Sequence, residues 1–273
     1  MSLSSAPRLQ AVFFDMSKTL WRAAPHTRPA RARQAHDALY TALSRYYPTL
    51  ALPDHDRFSE VVRTVEDRHG PTASTNEELL EHVYAAFGWV LDPTDQRVLT
   101  DWHAPKLEQA APEPDLAHTL ATLQALGLRL GVISNTRWRA PWHDRELAHH
   151  GVLSYFPVRI YSADLRIRKP DPRIFAAGLA ALGGVPPDEV LYVGDKLGTD
   201  VVGAQQAGWR TAWLMPPGGP ATRPADEIQP DIVLAALRDL PAQLSARFDL
   251  PNRLTLGADH ALWAPASEVH APQ

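Results

Sequence analysis

The chain has no cysteine, which excludes disulfides and thiolate chemistry but leaves the compartment open. Lysine is scarce, with four residues against 23 arginines. No block of one charge sign is present and the net charge is −4, which argues against an extended nucleic-acid groove or a basic membrane face. No apolar run approaches the ~18 residues of a membrane span. The opening residues MSLSSAPRLQ lack the apolar stretch of a secretion signal. A cytoplasmic protein, monomer or homodimer, acting on a small molecule and on neither nucleic acid nor membrane, is therefore expected.

What is present is an alternation. VFF, at residues 12 to 14, reads as a short buried strand in an apolar run that ends on Asp15. A carboxylate there is costly unless something answers it. Residues 25 to 109 carry four segments with apolar residues at helical spacing. Ser74 and Glu77 suggest a capping box at the start of the third, and Pro105 is expected to disturb the end of the fourth. After an expected hinge at APEPD (111–115), helices at 115–126, near 142–150, at 171–182 and at 199–207 alternate with strands at 129–134, near 158–161, and at 190–193, 211–215 and 232–234. Such alternation implies a parallel sheet covered on both faces. The fold class is thus α/β, a Rossmann-like parallel sheet with an all-helical domain inserted after the first strand. The boundaries are 1–22 and 112–244 for the core, 23–111 for the insertion and 245–273 for a tail. PPGGPATRP (216–224) reads as a turn-rich loop.

Ligands of parallel α/β sheets gather at the carboxyl ends of the strands. Four polar clusters fall there: Asp15; Ser134 and Asn135, ending LGVISN; Lys169, in RKPDPRIF; and Asp195 with Asp200, in VLYVGDKLGTD. Singly, each has an ordinary explanation, such as a helix cap or a turn. Together and in this order they resemble the haloacid dehalogenase superfamily, in the branch with a helical C1-type cap. The family pattern DxDx[TV], [ST], K and GDxxxxD is matched by Asp15 and Thr19, Ser134, Lys169, and Asp195 with Asp200, across roughly residues 9–243.

The resemblance implies a hydrolase with a mobile cap and Mg²⁺-dependent phosphoryl transfer through an aspartyl-phosphate on Asp15. Such transfer needs an in-line nucleophile and compensation of charge on the phosphoryl oxygens. Lys169 would neutralise Asp15 and the phosphate, and Ser134 and Asn135 would contact the phosphate. Asp15, Asp195 and the Ser17 carbonyl would hold Mg²⁺, a cation that selects hard oxygen ligands. Asp200 would hold Lys169 or a metal-bound water, and Thr19 would serve as a structural hydroxyl. Trp21 and Arg22 on one side, and Thr136, Arg137 and Trp138 on the other, should face the gap between core and cap, with Trp21 either contacting substrate or closing the hinge by packing. Lys18 and Lys196 are cations beside the motifs. Trp142, His103 and His26 are weaker candidates.

One position departs from the pattern. Phosphatases of the family carry aspartate two residues after the nucleophile, as general acid and base; here it is Ser17. A neutral hydroxyl is a poor acid and base near neutral pH, and losing such a group costs ~10²–10⁴-fold in rate. Branches that lack the aspartate include metal-independent dehalogenases, against which the retained Asp195 argues. They also include phosphonatases with a cap lysine. Lys106 is the sole lysine of the insertion, but it falls at the insertion's far end. Three readings stand: a phosphatase or phosphotransferase, an enzyme that turns the Asp15 nucleophile on another substrate, or a quiet phosphate-ligand-binding protein.

Overall fold

The computed structural model describes residues 6–22, 28–70, 74–216 and 228–251. Most of the 216–224 loop, the tail beyond 251 and His26 lie outside the described residues. Six parallel strands form one sheet in the order β3-β2-β1-β4-β5-β6: β1 Ala11–Phe14, β2 Arg129–Ser134, β3 Val158–Tyr161, β4 Val190–Gly194, β5 Arg210–Leu214 and β6 Ile232–Leu234. β1 is central, flanked by β2 and β4. It is apolar at every position because both faces are covered. Val12 and Phe14 enter one core cluster, and Ala11 and Phe13 the other. Gly131 of β2 is required by that packing, since a Cβ there would collide with the Phe13 ring.

After β1, the described chain first forms four helices, ahead of the one that leads into β2: α1 Arg28–Tyr46, α2 His55–His69, α3 Asn76–Phe87 and α4 Gln96–Gln109. Leu39, Leu43, Phe58, Val62, Leu80 and Leu99 build a separate apolar cluster within them, which reaches the sheet-bearing part through Trp138 and Trp142. Two local expectations are corrected. The capping box of α3 is Thr75 with Glu78, one residue later than Ser74 and Glu77. The Thr75 side chain accepts the Glu78 N–H, while the Glu78 carboxylate reaches back to the N–H groups of Ser74 and Thr75. Pro105 sits inside α4 without ending it, and the Ala110 N–H still bonds the Lys106 carbonyl beyond it.

The two passages that lead into and out of the helices are tied together. The Arg22 N–H donates to the Ala111 carbonyl at 2.8 Å and the Glu113 N–H to the Leu20 carbonyl at 2.9 Å, around a bridge between Trp21 and Pro112.

The remaining helices pack on the sheet: α5 Leu116–Ala125, α6 Ala140–His149, α7 Ser162–Leu165, α8 Pro172–Ala181, α9 Val202–Gln206 and α10 Leu240–Arg247. The short α7 has no counterpart in the sequence pattern. The helix expected at 199–207 opens instead as a π-helical turn, Leu197–Val201. α10 runs past residue 245, Phe248 is buried, and Asp249 exchanges backbone hydrogen bonds with Pro7 and Leu9. No described helix is long and apolar enough to cross a membrane.

Candidate active site

β1 and β4 lie side by side where the strand order reverses, so their carboxyl ends open on a crevice. Asp15 follows β1 directly, and its N–H continues the ladder by bonding the Val193 carbonyl at 2.9 Å. The chain then wraps round the Met16 carbonyl, which accepts from the N–H groups of Thr19, Leu20 and Trp21. Lys18 holds a left-handed conformation in this turn, with φ of 62°. Ser17 and Lys18 are consequently exposed while Thr19 is fully buried.

Lys169 is the centre of the arrangement. Its ammonium lies 2.8 Å from Asp15 Oδ1 and 2.8 Å from Asp200 Oδ1, and it also contacts the Ile133 carbonyl at 3.1 Å and the Tyr192 hydroxyl at 2.6 Å. The lysine side chain is 2% exposed. Burial alone would favour the neutral amine, but the two carboxylates outweigh it and the lysine pKa is raised. Ser134 donates its hydroxyl to the same Asp15 Oδ1 at 3.2 Å. Both donors thus meet Oδ1, and Oδ2 is the oxygen that neither engages.

Asn135 was expected to contact phosphate. Its side-chain amide is instead engaged at both ends with the Lys169 backbone: Nδ2 donates to the Lys169 carbonyl at 2.9 Å and Oδ1 accepts the Lys169 N–H at 2.8 Å. Asp200 accepts the Lys196 N–H on Oδ2 at 3.0 Å and holds Lys169 on Oδ1. Burial and the neighbouring Asp15 raise its pKa against the pull of Lys169.

Asp195 differs from its neighbours. Its Oδ1 is buried and has no hydrogen-bond partner, while its backbone carbonyl accepts from Trp213 Nε1. Burial, together with the charges of Asp15 and Asp200, pushes its carboxyl up to about 6. Oxygens of Asp15, Asp195 and Asp200 lie within 4.8 Å of one another. The Lys169 ammonium pairs with Asp15 and Asp200 only, so the three clustered carboxylates carry a surplus of negative charge that Lys18 and Lys196 soften, and the orphaned Asp195 oxygen marks where it lies. Hard oxygen donors with this surplus suit a small divalent cation such as Mg²⁺.

A cavity of about 460 Å³ opens beside this cluster, between the sheet-bearing part and α1–α4. Ser17, Lys18, Trp21, Arg22 and Ser134 line it from below, and Arg31, Trp102 and Lys106 from the helical side. Trp21 is 5% exposed, packed in the core with its ring 4.9 Å from the His150 ring, and it also borders the cavity. Arg22 is exposed. Trp142 and His103 are packing residues grouped round Trp138, and burial and nearby Lys106 push His103 down to about 3.

Three residues that the sequence pattern set aside or missed also line the cavity: Lys106, His143 and Glu146. Lys106, distant in the sequence, is close in space because α4 returns the chain to its point of entry. Its ammonium pairs with Glu146 of α6 at 3.1 Å. Glu146 and His143, three residues apart on α6, are 1% and 3% exposed. His143 Nδ1 faces Glu146 Oε2 at 3.2 Å and its Nε2 faces the Thr136 hydroxyl at 2.8 Å. Burial and Lys106 push the imidazole down to about 4, and Lys106 and His143 hold Glu146 at about 2 against the effect of burial. The i, i+3 spacing in WHDRE was the available signal, but a single histidine and glutamate on a helix are too common to stand out.

A sequence profile of the haloacid dehalogenase-like hydrolases matches residues 9–208. The chain belongs to this family. Among its relatives, the glyceraldehyde 3-phosphate phosphatase of Methanopyrus kandleri is 27% identical over 206 residues, covering 74% of this chain and 82% of the relative. The phosphoserine phosphatase of Thermus thermophilus is 36% identical over 129 residues, 46% of this chain and 49% of the relative. The crystal structure of a 2-haloacid dehalogenase from Pseudomonas syringae superposes with a TM-score of 0.65 at 28% identity, covering 87% of this chain and 99% of that one. The fold of this haloacid dehalogenase-like hydrolase is therefore that of the family, a Rossmann-like sheet with surrounding helices.

Proposed function

We propose that this hydrolase is a Mg²⁺-dependent phosphatase or phosphotransferase for a small phosphorylated metabolite, working through an aspartyl-phosphate on Asp15. The observation that carries the reading is the buried, unpartnered Asp195 oxygen within a surplus of carboxylates beside Asp15. Asp15, Asp195 and the Ser17 carbonyl would hold the cation. When bound, Mg²⁺ supplies neutralisation of charge on the phosphoryl oxygens.

The chain's own residues do the rest. Asp15 Oδ2, the oxygen free of Lys169 and Ser134, attacks phosphorus in line, and the bond to the leaving oxygen breaks. Lys169 pairs with Asp15 and offsets charge on the phosphoryl group, while Asp200 and the Asn135 amide fix the lysine at its head and its backbone. Ser134 orients Asp15. Ser17 carries no proton suited to the leaving group, so the chemistry favours esters whose leaving oxygen needs little protonation. The helical insertion, residues 23–111, acts as the cap over a core of residues 1–22 and 112–244. It closes the cavity and excludes water.

The test is phosphate release from glyceraldehyde 3-phosphate, phosphoserine, phosphoglycolate (the compounds in the relatives' names) and p-nitrophenyl phosphate, with Mg²⁺ or with EDTA. Turnover that needs Mg²⁺ and is lost in Asp15→Asn supports the reading. Full activity in EDTA, or an unchanged Asp15→Asn rate, rejects it. A second reading, displacement of halide from a 2-haloacid by Asp15, is favoured by the structural likeness to the dehalogenase and by the missing aspartate at position 17. Chloride release from 2-chloropropionate in EDTA would establish it. Inactivity in both assays, with phosphate still bound, would point to a binding protein.

A further inference from the structure

Thr136, His143 and Glu146 form a hydroxyl–imidazole–carboxylate chain on the wall of the cavity that Ser17 and Ser134 also line. Its polarity can be worked out. The Thr136 backbone is held at both ends by Ser162, whose hydroxyl accepts the Thr136 N–H at 2.9 Å and donates to the Thr136 carbonyl at 2.9 Å. The Thr136 oxygen accepts the Trp138 N–H at 3.0 Å, so its own hydrogen is available to His143 Nε2 at 2.8 Å. Glu146, held ionised with help from Lys106, is the nearer group to Nδ1, at 3.2 Å against 3.5 Å for the Lys106 ammonium, and the tautomer that satisfies both it and the Thr136 hydroxyl places the ring hydrogen on Nδ1. The imidazole therefore presents a lone pair to a hydroxyl fixed two residues beyond Ser134, which itself bonds Asp15. The other groups facing the ring are Asp144 on α6, Lys106 and His103 from α4, and Tyr161 of β3, stacked at 4.7 Å.

Burying a histidine and a glutamate takes polar groups out of water, and a purely structural tie between α4 and α6 would need only the Lys106–Glu146 pair. The hydroxyl end of the chain is left over by that account, and it ends at the cavity. We propose that Thr136, backed by His143 and Glu146, supplies the base that Ser17 lacks, for hydrolysis of the aspartyl-phosphate. The inference rests on the phosphatase reading. In the step, a water oxygen bonds to phosphorus as the bond from phosphorus to Asp15 breaks, its electron pair returning to the carboxylate. The water proton goes to Thr136 Oγ1, and the threonine proton goes to His143 Nε2. The resulting imidazolium, faced by Glu146, releases its proton to solvent before the next turnover. Thr136 meets the water; His143 acts through it.

The test uses p-nitrophenyl phosphate, whose leaving group needs no acid, with Mg²⁺ and the full-length protein. Turnover is measured together with the fraction of enzyme phosphorylated on Asp15, by intact mass after acid quench. His143→Gln and Thr136→Val are expected to lower turnover about 10²-fold or more while raising the phosphorylated fraction. Thr136→Ser, which keeps the hydroxyl, recovers most of what Thr136→Val loses. Adding Ser17→Asp to His143→Gln restores turnover, because a carboxylate at position 17 makes the chain unnecessary. An unchanged rate in both variants overturns the proposal. So does a fall in turnover with no rise in phosphoenzyme, or a double variant no faster than His143→Gln. If wild type never phosphorylates Asp15 and Asp15→Asn stays active, the phosphatase reading itself fails and takes this proposal with it.

Discussion

Replacing Lys169 by methionine removes the one cation between two buried carboxylates. Lys169, Asp15 and Asp200 have side chains 2%, 6% and 1% exposed, and both ion pairs measure 2.8 Å. Methionine matches the lysine stem closely enough that packing changes little. What remains is Asp15 and Asp200 facing each other without a partner, together with the Tyr192 hydroxyl and Ile133 carbonyl that lose a donor. Breaking a buried pair from one side costs about 3–5 kcal/mol. With a urea slope of about 3 kcal/mol per M, the unfolding midpoint should drop by about 1–1.7 M at pH 7 in EDTA. The sign of the pH dependence follows. Without the lysine, the folded-state carboxyl pKa values rise above their unfolded values. The penalty is full above the raised values and fades as pH falls toward about 4, where the carboxyls are neutral in both states. Adding Asp200→Asn should recover part of the loss. A midpoint equal to wild type, or a deficit that grows on acidification, would refute the assignment of Lys169 as the charge holding this cluster together.

Further outcomes are expected elsewhere. Ser17→Asp should raise hydrolysis of an alkyl phosphate such as phosphoserine, whose leaving oxygen needs a proton, by about 10²-fold, and no increase would remove the argument that position 17 lacks a general acid. His143 and His103 are held neutral by burial, at about 4 and about 3 against an unperturbed 6.5. Below pH 6.5 the unfolded chain takes up protons that the folded chain does not, so stability falls between pH 6.5 and about 4. The His143 contribution is about 3 kcal/mol, and His143→Gln should flatten the curve of melting temperature against pH. A Cβ at Gly194 would collide with the Asp200 carboxylate, whereas at Gly198 it would meet nothing within 4 Å. Gly194→Ala should therefore cost about 1–3 kcal/mol and most activity, with Gly198→Ala as the mild comparison in the same melts and assays.

The sheet was readable because strands buried on both faces are continuous apolar runs. β2 and β6 fall at the residues expected, and β1 differs by one. The four helices of the insertion were readable from their periodicity. Asp15, Ser134, Lys169, Asp195 and Asp200 were readable as a set because each stands at or just beyond a strand end, and the structure brings them together. Local register was less legible: Ser74 and Thr75 are both good caps, and only the turn geometry selects Thr75. The placement of Lys106 was illegible for a topological reason. Distance along the insertion says nothing of distance in space when the insertion leaves where it entered. His143 and Glu146 gain their meaning from Lys106 on one side and Thr136 on the other, partners 37 and seven residues from His143, which no local pattern joins. The Asn135 amide likewise faces its own motif's phosphate side in sequence logic, but its partner is the backbone of a residue 34 positions on.

The tied passage at Trp21–Arg22 and Ala111–Glu113 has a consequence for how the protein is divided. Because the chain departs and returns through two adjacent hydrogen-bonded segments, the sheet experiences the whole insertion much as it would a tight loop. Its length and interior are decoupled from the strand register beneath. A helical segment of different size or lining, with its ends equally close, could be spliced at the same point without disturbing Asp15 or Lys169. The cavity roof is in this sense an exchangeable module, set apart from the strand ends that hold Asp15 and Lys169.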